Sequence, residues 1–263
     1  METGLSGKRA LVLGGSKGIG RGIAEGLAAE GARVILASRD GGVCATVAQE
    51  LASQFGAEIH GTACDMADMA AVDRVAAYAQ DTFGGIDVLV NNTGGPPFGP
   101  ISQVDSDTWR QYFDSMFVSV TRLTGHILPG MRERRWGRIL LVTSTGVVEP
   151  IPQLGISNSL RIALTNWAKT ISLEVAPDGV TINALMPGRI DTDRIKQFYE
   201  VAATQRGVDI ETIKAEVAAG IPMGRVGRVD EFAALAVFLT SEAASYITGT
   251  ATAIDGGATA RGV

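Results

Sequence analysis

The stretch Arg9-Ala10-Leu11-Val12-Leu13-Gly14-Gly15-Ser16-Lys17-Gly18-Ile19-Gly20 decides the fold. Arg9–Leu13 reads as a buried strand, and it runs directly into a glycine-rich turn. The turn opens a helix predicted over Gly18–Glu30. Glycines at such a turn let the backbone approach a pyrophosphate and let helix pack on strand. The free N–H groups of the helix then face the anion. The motif carries this meaning because of its place, at the first strand, first turn and first helix.

Outward from this turn, short apolar runs alternate with longer helical patterns. Arg33–Ala37, Glu58–Ala63, Asp87–Val90, Arg138–Val142, Val180–Leu185 and Thr250–Ile254 read as strands. Val43–Phe55, Met69–Phe83, Asp107–Arg134, Asn158–Ala176 and Asp230–Ser241 read as helices. Strands separated by helices require crossovers. The expected fold is therefore α/β, a doubly wound Rossmann-type parallel sheet with helices on both faces, in a single domain over residues 1–263. The rhythm breaks between Pro187 and Pro222. That segment reads as an insertion with its own helix or helices above the C-terminal strand ends, where ligands bind in open α/β sheets, and a substrate lid is the expectation.

Composition narrows the function. Of 263 residues, 46% are hydrophobic and 19% charged, which suits an ordered globular chain with a sizeable core. A net charge of −5 and the lack of a long basic run exclude nucleic acid as an expected partner. The densest charged patch, Arg132-Glu133-Arg134-Arg135, reads as a solvated helix end. Cys44, Cys64, His60 and His126 show no metal-ligand spacing, so no metal is expected. No run approaches the roughly 20 apolar residues of a membrane span, and Met1–Arg9 lacks a signal core, which gives a cytoplasmic expectation.

The end of the second strand chooses the dinucleotide. An NAD site places Asp or Glu there for the ribose 2′-OH, whereas an NADP site uses a basic residue for the 2′-phosphate. Here the residues are Ala37-Ser38-Arg39: Ser38 stands where the acid is expected, Arg39 follows, and Lys17 is within reach of the same phosphate. Asp40 comes one place too late. The expected cofactor is NADP(H).

With these residues in view, the sequence resembles the short-chain dehydrogenase/reductase family over nearly its whole length, and within it the 3-oxoacyl-acyl-carrier-protein reductases. Gly14, Ser16, Lys17, Gly18, Ile19 and Gly20 match the glycine-rich turn, with Leu13 where the family has Thr. Asp65-Met66 resembles the family's adenine-contacting segment, and Asn91-Asn92-Thr93-Gly94 its Asn-Asn-Ala-Gly, which adds Asn92 and Gly94 to the cofactor residues. Pro187-Gly188-Arg189-Ile190-Asp191-Thr192 resembles its Pro-Gly segment, whose Thr holds the nicotinamide carboxamide. Thr248-Gly249 and Asp255-Gly256-Gly257 fit the C-terminal signature.

The resemblance also implies an Asn-Ser-Tyr-Lys active site, and here the sequence departs from it. Ser144 matches the Ser. The Tyr and Lys positions, thirteen and seventeen residues on, hold Ser157 and Arg161, and the Asn position, seven after Trp109, holds Met116. Ser157 lacks the acidity of a tuned Tyr, and Arg161 stays protonated. Arg161 can still hold ribose hydroxyls and stabilise an oxyanion, while a water on Ser157 carries the proton. Tyr112, Tyr199 and Arg194 are the other groups that could deliver it.

Two functions follow. The first is an NADP(H)-dependent oxidoreductase acting on a carbonyl compound or alcohol, with Ser144, Ser157 and Arg161 catalytic. The alternative is a dinucleotide-binding pseudoenzyme serving as sensor or assembly partner. The long helices Asp107–Arg134 and Asn158–Ala176 carry apolar residues on more than one face, and the resemblance implies that they pair in a homotetramer.

Overall fold

A computed structural model describes residues 2–259. Seven strands form one parallel sheet: β1 (Arg9–Leu13), β2 (Arg33–Ser38), β3 (Ile59–Ala63), β4 (Val88–Asn91), β5 (Gly137–Val142), β6 (Val180–Pro187) and β7 (Ala251–Ile254). Their order is β3-β2-β1-β4-β5-β6-β7. The pairing starts in register at Arg9↔Arg33 between β1 and β2 and at Ala10↔Val88 between β1 and β4.

Side-chain alternation explains the layers. Ala10, Val12, Val34, Leu36, Val88, Val90 and Leu140 face one core, while Leu11, Leu13, Ile35, Ala37, Leu89, Ile139 and Leu141 face the other. A strand apolar on both sides needs a helical layer on each. The first layer is α1 (Gly18–Ala29), α2 (Gly41–Phe55) and α9 (Val229–Thr240), inserting Ile23, Leu27, Leu51 and Phe232. The second is α3 (Met69–Phe83), α5 (Ser119–Glu133) and α6 (Gly155–Val175), inserting Val72, Leu123 and Leu164. Fully burying one such side chain contributes about 1.5–3 kcal/mol.

The element boundaries shift little from those the sequence suggests, but the expected helix Asp107–Arg134 is divided. It runs as α4 (Ser106–Phe113), a single π-helical turn over Asp114–Val118, and α5. The wider turn loosens carbonyl pairing, and hydroxyls take part of it up: Ser119 donates to Ser115 O at 2.8 Å and Thr121 to Val118 O at 2.9 Å. The run Arg132–Arg135 is also more than a solvated helix end. Arg134 donates to Asp87 Oδ1 at 3.2 Å and Ile86 O at 2.7 Å, and Arg132 to Asp178 at 2.6 Å. The Arg134 bonds tie the end of α5 to the start of β4, and the Arg132 bond ties it to the turn before β6. Asp87 is also gripped by Arg9, at 2.6 and 2.8 Å.

The chain reverses its direction of strand addition between β1 and β4, so the loops after these strands part and leave a crevice. Above it stand α7 (Asp193–Arg206) and α8 (Ile210–Ala219). They pack on each other through a small core of Ile195, Tyr199, Ala203 and Ile213. Among the described residues no helix is long and apolar enough to cross a membrane, and no group of three His, Cys, Asp or Glu side chains could hold a metal. Cys44 and Cys64 are buried free thiols. Burial, with Asp65 adding repulsion, pushes the Cys64 thiol up to about 11.

Candidate active site

The glycine-rich turn is built by close approach. A Cβ on Gly14 would lie 2.7 Å from Asn92 Nδ2, and one on Gly20 would collide with Gly14 O. Gly18 sits at φ +55°, a left-handed conformation that favours glycine. The turn brings the N-terminus of α1 to the crevice with its N–H groups uncapped. Lys17 at the cap makes no side-chain bond to them, and the first turn holds no acid. At α2, α3 and α4 aspartates fill this role: Asp40 accepts from Val43 N at 3.0 Å, Asp68 from Ala70 N at 2.9 Å and Asp105 from Thr108 N at 2.7 Å. A helix end left open beside a backbone too tight for any Cβ fits a bound pyrophosphate.

The remaining cofactor candidates ring the same crevice. A Cβ on Gly18 would lie 3.3 Å from Thr192 Cγ2, so the Pro187–Thr192 segment folds over the turn. Gly188 is required there, because a Cβ would lie 2.5 Å from Asp255. Ile190 is buried beneath, and Thr192 donates to its carbonyl at 3.3 Å. Gly94 faces open space. Asp65 is exposed and accepts from Ala67 N at 3.0 Å, and the Met66 sulfur lies 3.8 Å from that of Cys64.

At the end of β2, Ser38 lies 3.0 Å from Cys44 Sγ and Arg39 is exposed. Asp40 caps α2 through one carboxylate oxygen. Lys17 lies 4.0 Å from Asp193 of α7, an exposed contact on the side of the turn nearest the helical pair.

Ser144 stands two residues beyond β5, and its Oγ accepts from Gly146 N at 3.0 Å. Ser157 and Arg161, four residues apart on α6, are both buried and joined: Arg161 Nε donates to Ser157 Oγ at 3.2 Å. Arg161 also donates to Val142 O at 2.6 Å and to Thr93 O at 3.4 Å. It thus binds the ends of β5 and β4 to α6. Burial, reinforced by the charge of Arg194, pulls its pKa down to about 10, which leaves it a cation at neutral pH.

Met116 is buried in the π turn against Ile156 and Leu160, with Tyr112 beside it. Tyr199 is buried in the α7–α8 core, and burial raises its pKa. Two residues that sequence reasoning passed over also shape the site. Asn158 donates to Ile151 O at 2.9 Å and pins the loop after β5 onto α6. Phe98, in the loop after β4, faces Phe198 of α7 at a ring-centroid distance of 6.0 Å.

Comparison with known proteins matches this architecture. A family profile described as Enoyl-(Acyl carrier protein) reductase matches residues 14–259. The chain is 36% identical over 254 residues to D-beta-hydroxybutyrate dehydrogenase of Cupriavidus necator, covering 96% of this chain and 98% of that one. It is 33% identical over 258 residues to the 3-oxoacyl-(acyl-carrier-protein) reductase FabG of Aquifex aeolicus, covering 98% and 99%. L-sorbose reductase from Gluconobacter frateurii, solved with NADPH and L-sorbose, superposes with a TM-score of 0.95 at 34% identity, covering 99% of this chain and all of that one. YwfH, an NADPH-dependent reductase of bacilysin biosynthesis, gives 0.93 at 32%, covering 97% of this chain and all of that one. The chain belongs to the short-chain dehydrogenase/reductase family. Within that family it is an oxidoreductase.

Proposed function

We propose that this oxidoreductase uses NADP(H) to reduce a carbonyl or oxidise an alcohol, with Ser157 and Arg161 in the places of the usual Tyr and Lys. The observation that carries the reading is the Arg161 anchorage: a buried cation hydrogen-bonded to Ser157, to the end of β5 and to the loop after β4, which borders the crevice. Gly14, Ser16, Gly18, Ile19, Gly20, Asn92 and Gly94 would line the dinucleotide, with Asp65 and Met66 at the adenine. Pro187, Gly188, Ile190 and Thr192 would lie along the nicotinamide end, and Ser38, Arg39 and Lys17 at the 2′-phosphate. When bound, the dinucleotide supplies or accepts the hydride.

The chain's own groups manage charge and proton. Ser144 orients the carbonyl oxygen. Arg161 stabilises the negative charge that develops on it, which a fixed cation in a dry site does at little reorganisation cost. Because Ser157 Oγ accepts from Arg161, its own proton is free to pass to the product oxygen and to be replaced from a bound water. The 187–222 segment acts as the substrate lid, a feature that favours turnover over a sensor role. We place the enzyme in the cytoplasm as a homotetramer.

The test rebuilds the family pair. Ser157→Tyr with Arg161→Lys restores a positioned acid, which typically contributes 10²–10⁴-fold. Measured as NADPH oxidation over a ketone panel, the double variant is expected to gain rate if the pocket is a latent reductase. A fall from strong wild-type activity identifies Ser157 and Arg161 as a working pair. A folded, NADPH-binding double variant and a wild type that are both inert on every ketone overturn the reading.

A further inference from the structure

Three arginines near the crevice, Arg161, Arg189 and Arg194, lack a carboxylate partner among the described residues. Arg161 is buried and uses three of its five N–H groups, all on neutral oxygens. Arg194, the second residue of α7, crosses from the helical pair to the loop after β4 and donates Nη2 to Pro96 O at 2.8 Å. Its guanidinium lies on Phe98, 4.6 Å from the ring centroid. Arg189 lies 4.4 Å over Phe198, whose ring faces Phe98, so cation, ring, ring and cation form one row. Among the described residues, no Asp or Glu oxygen lies within 4.0 Å of these three guanidinium groups. Asp193, next in sequence to Arg194, is turned to Lys17 and Lys196 at 4.0 and 3.9 Å.

The charges of this arrangement are held by rings and carbonyls and have no carboxylate partner among the described residues. Buried charges are ordinarily paired, and Arg161 has only dipoles. Arg194 is exposed and so open to a ligand, and the titrating neighbour that favours its charge is Tyr112; half-burial lowers the pKa of Arg189. Arg161 and Arg194 repel each other across the cleft. Arg194 also stands at the positive end of a helix, where a cation is disfavoured. The two guanidinium groups are anchored to carbonyls three residues apart, Thr93 and Pro96, a separation of at most about 11 Å. Thr192 and Lys17 lie together at the glycine turn, whereas Arg194 bonds to the loop after β4.

We propose that Arg194, backed by the Arg161 charge, receives a carboxylate of the substrate, so that the carbonyl compound reduced is an oxo acid and the alcohol its hydroxy acid. This rests on the crevice being the substrate site described above. Arg194 spends only Nη2 on Pro96 O, so other N–H groups of its guanidinium remain for pairing with a planar carboxylate, the fork geometry that distinguishes Arg from Lys. Phe98 and Phe198 then offer the adjoining carbon chain an apolar wall.

The experiment has a kinetic and a binding arm. In the first, a panel of 2-, 3- and 4-oxo acids is compared with the corresponding methyl esters on wild type and Arg194→Gln, with NADPH saturating. Charge-assisted hydrogen bonds predict a roughly 10- to 100-fold preference for the acid. That preference should collapse in Arg194→Gln, mainly through KM, and be partly kept in Arg194→Lys. Equal use of acid and ester by wild type, or a preference that survives Arg194→Gln, overturns the proposal. In the second arm, saturation-transfer NMR measures binding of hexanoate, methyl hexanoate and inorganic phosphate at constant ionic strength, with and without NADPH. Hexanoate binding that is lost in Arg194→Gln sustains the carboxylate site even if no panel member turns over, an outcome that would sink only the proposed activity. No preference for hexanoate over its ester, or binding of phosphate alone, refutes the site itself. Arg194→Lys, which keeps the charge and the reach to the loop, covers the case in which Arg194→Gln fails to fold.

Discussion

Replacing Arg39 by Ala isolates the cofactor reading from the rest of the fold. Arg39 is exposed at the end of β2 and has no hydrogen bond or ion pair among the described residues. Its loss therefore costs the fold little: an exposed substitution changes stability by no more than about 0.5 kcal/mol, or roughly 2 °C in Tm. The whole effect falls on the ligand. A charge-assisted bond to a 2′-phosphate is worth about 1.5–3 kcal/mol, which corresponds to a roughly 10- to 150-fold weaker Kd for NADPH. The lower end applies at about 0.15 M salt, where an exposed charge is screened over ~8 Å. NADH, which lacks the phosphate, should bind as before. Adding Ser38→Asp places a carboxylate beside Cys44, whose thiol burial pushes up and keeps neutral. That acid would hold the ribose 2′-OH and repel the phosphate, inverting the preference. Calorimetric titration of both cofactors, beside thermal melts, reads all of this. Equal losses for NADPH and NADH, or none for either, would refute the assignment of Arg39 to the 2′-phosphate.

Two further expectations concern stability and assembly. Asp87 is buried, which alone would raise its pKa, but the hydrogen bonds and charge of Arg9, with Arg134 behind, hold it below the ordinary carboxylate range. Its stabilisation is thus complete above an unfolded pKa of about 3.9 and lost as pH falls through the lower folded value. Asp87→Ala should cost about 3 kcal/mol in urea unfolding at neutral pH, with the gap to wild type narrowing below about pH 4; a gap independent of pH would show that the ion network is not its source. The stacked pair Phe113 and Phe117 on α4 and the π turn, and Ile162 and Leu173 on α6, leave large apolar surface exposed on the helices expected to pair. Light scattering at micromolar concentration should give about four times the 27.4 kDa chain, and a monomer alone would end the tetramer proposal.

Much of the fold was legible because each strand carries its own local signal. Leu11 and Val12 are both apolar, and in a period of two that requires a layer on either side. The glycine turn was legible for the same reason: the residues that must approach one another, Gly14 and Gly20, lie within one turn and helix. What the sequence hid is long-range or aperiodic. A π turn inserts a residue without disturbing the apolar character of Met116, so a 3.6-residue pattern does not reveal it. Arg194 and Pro96 are 98 positions apart, and Arg134 and Asp87 are 47 apart. No local composition announces such pairs. Lys17 was read through its neighbours in the turn, yet its nearest acid is Asp193, on an element whose position only the tertiary fold determines.

On the proposed reading, the contact between Thr192 and Gly18 would impose an order of traffic. The dinucleotide then runs past this contact, beside the start of α7, while the carbonyl compound comes to rest nearer Phe98 and Arg194. A substrate already seated would block the way in, so the dinucleotide enters first and leaves last. Lys17 and Asp193 latch that entrance, but at 4.0 Å and in solvent they hold it with no more than about 1 kcal/mol. The gate is therefore ordered yet lightly sprung. On that reading the rate of cofactor exchange would be set by the grip along the dinucleotide itself and hardly at all by the door in front of it.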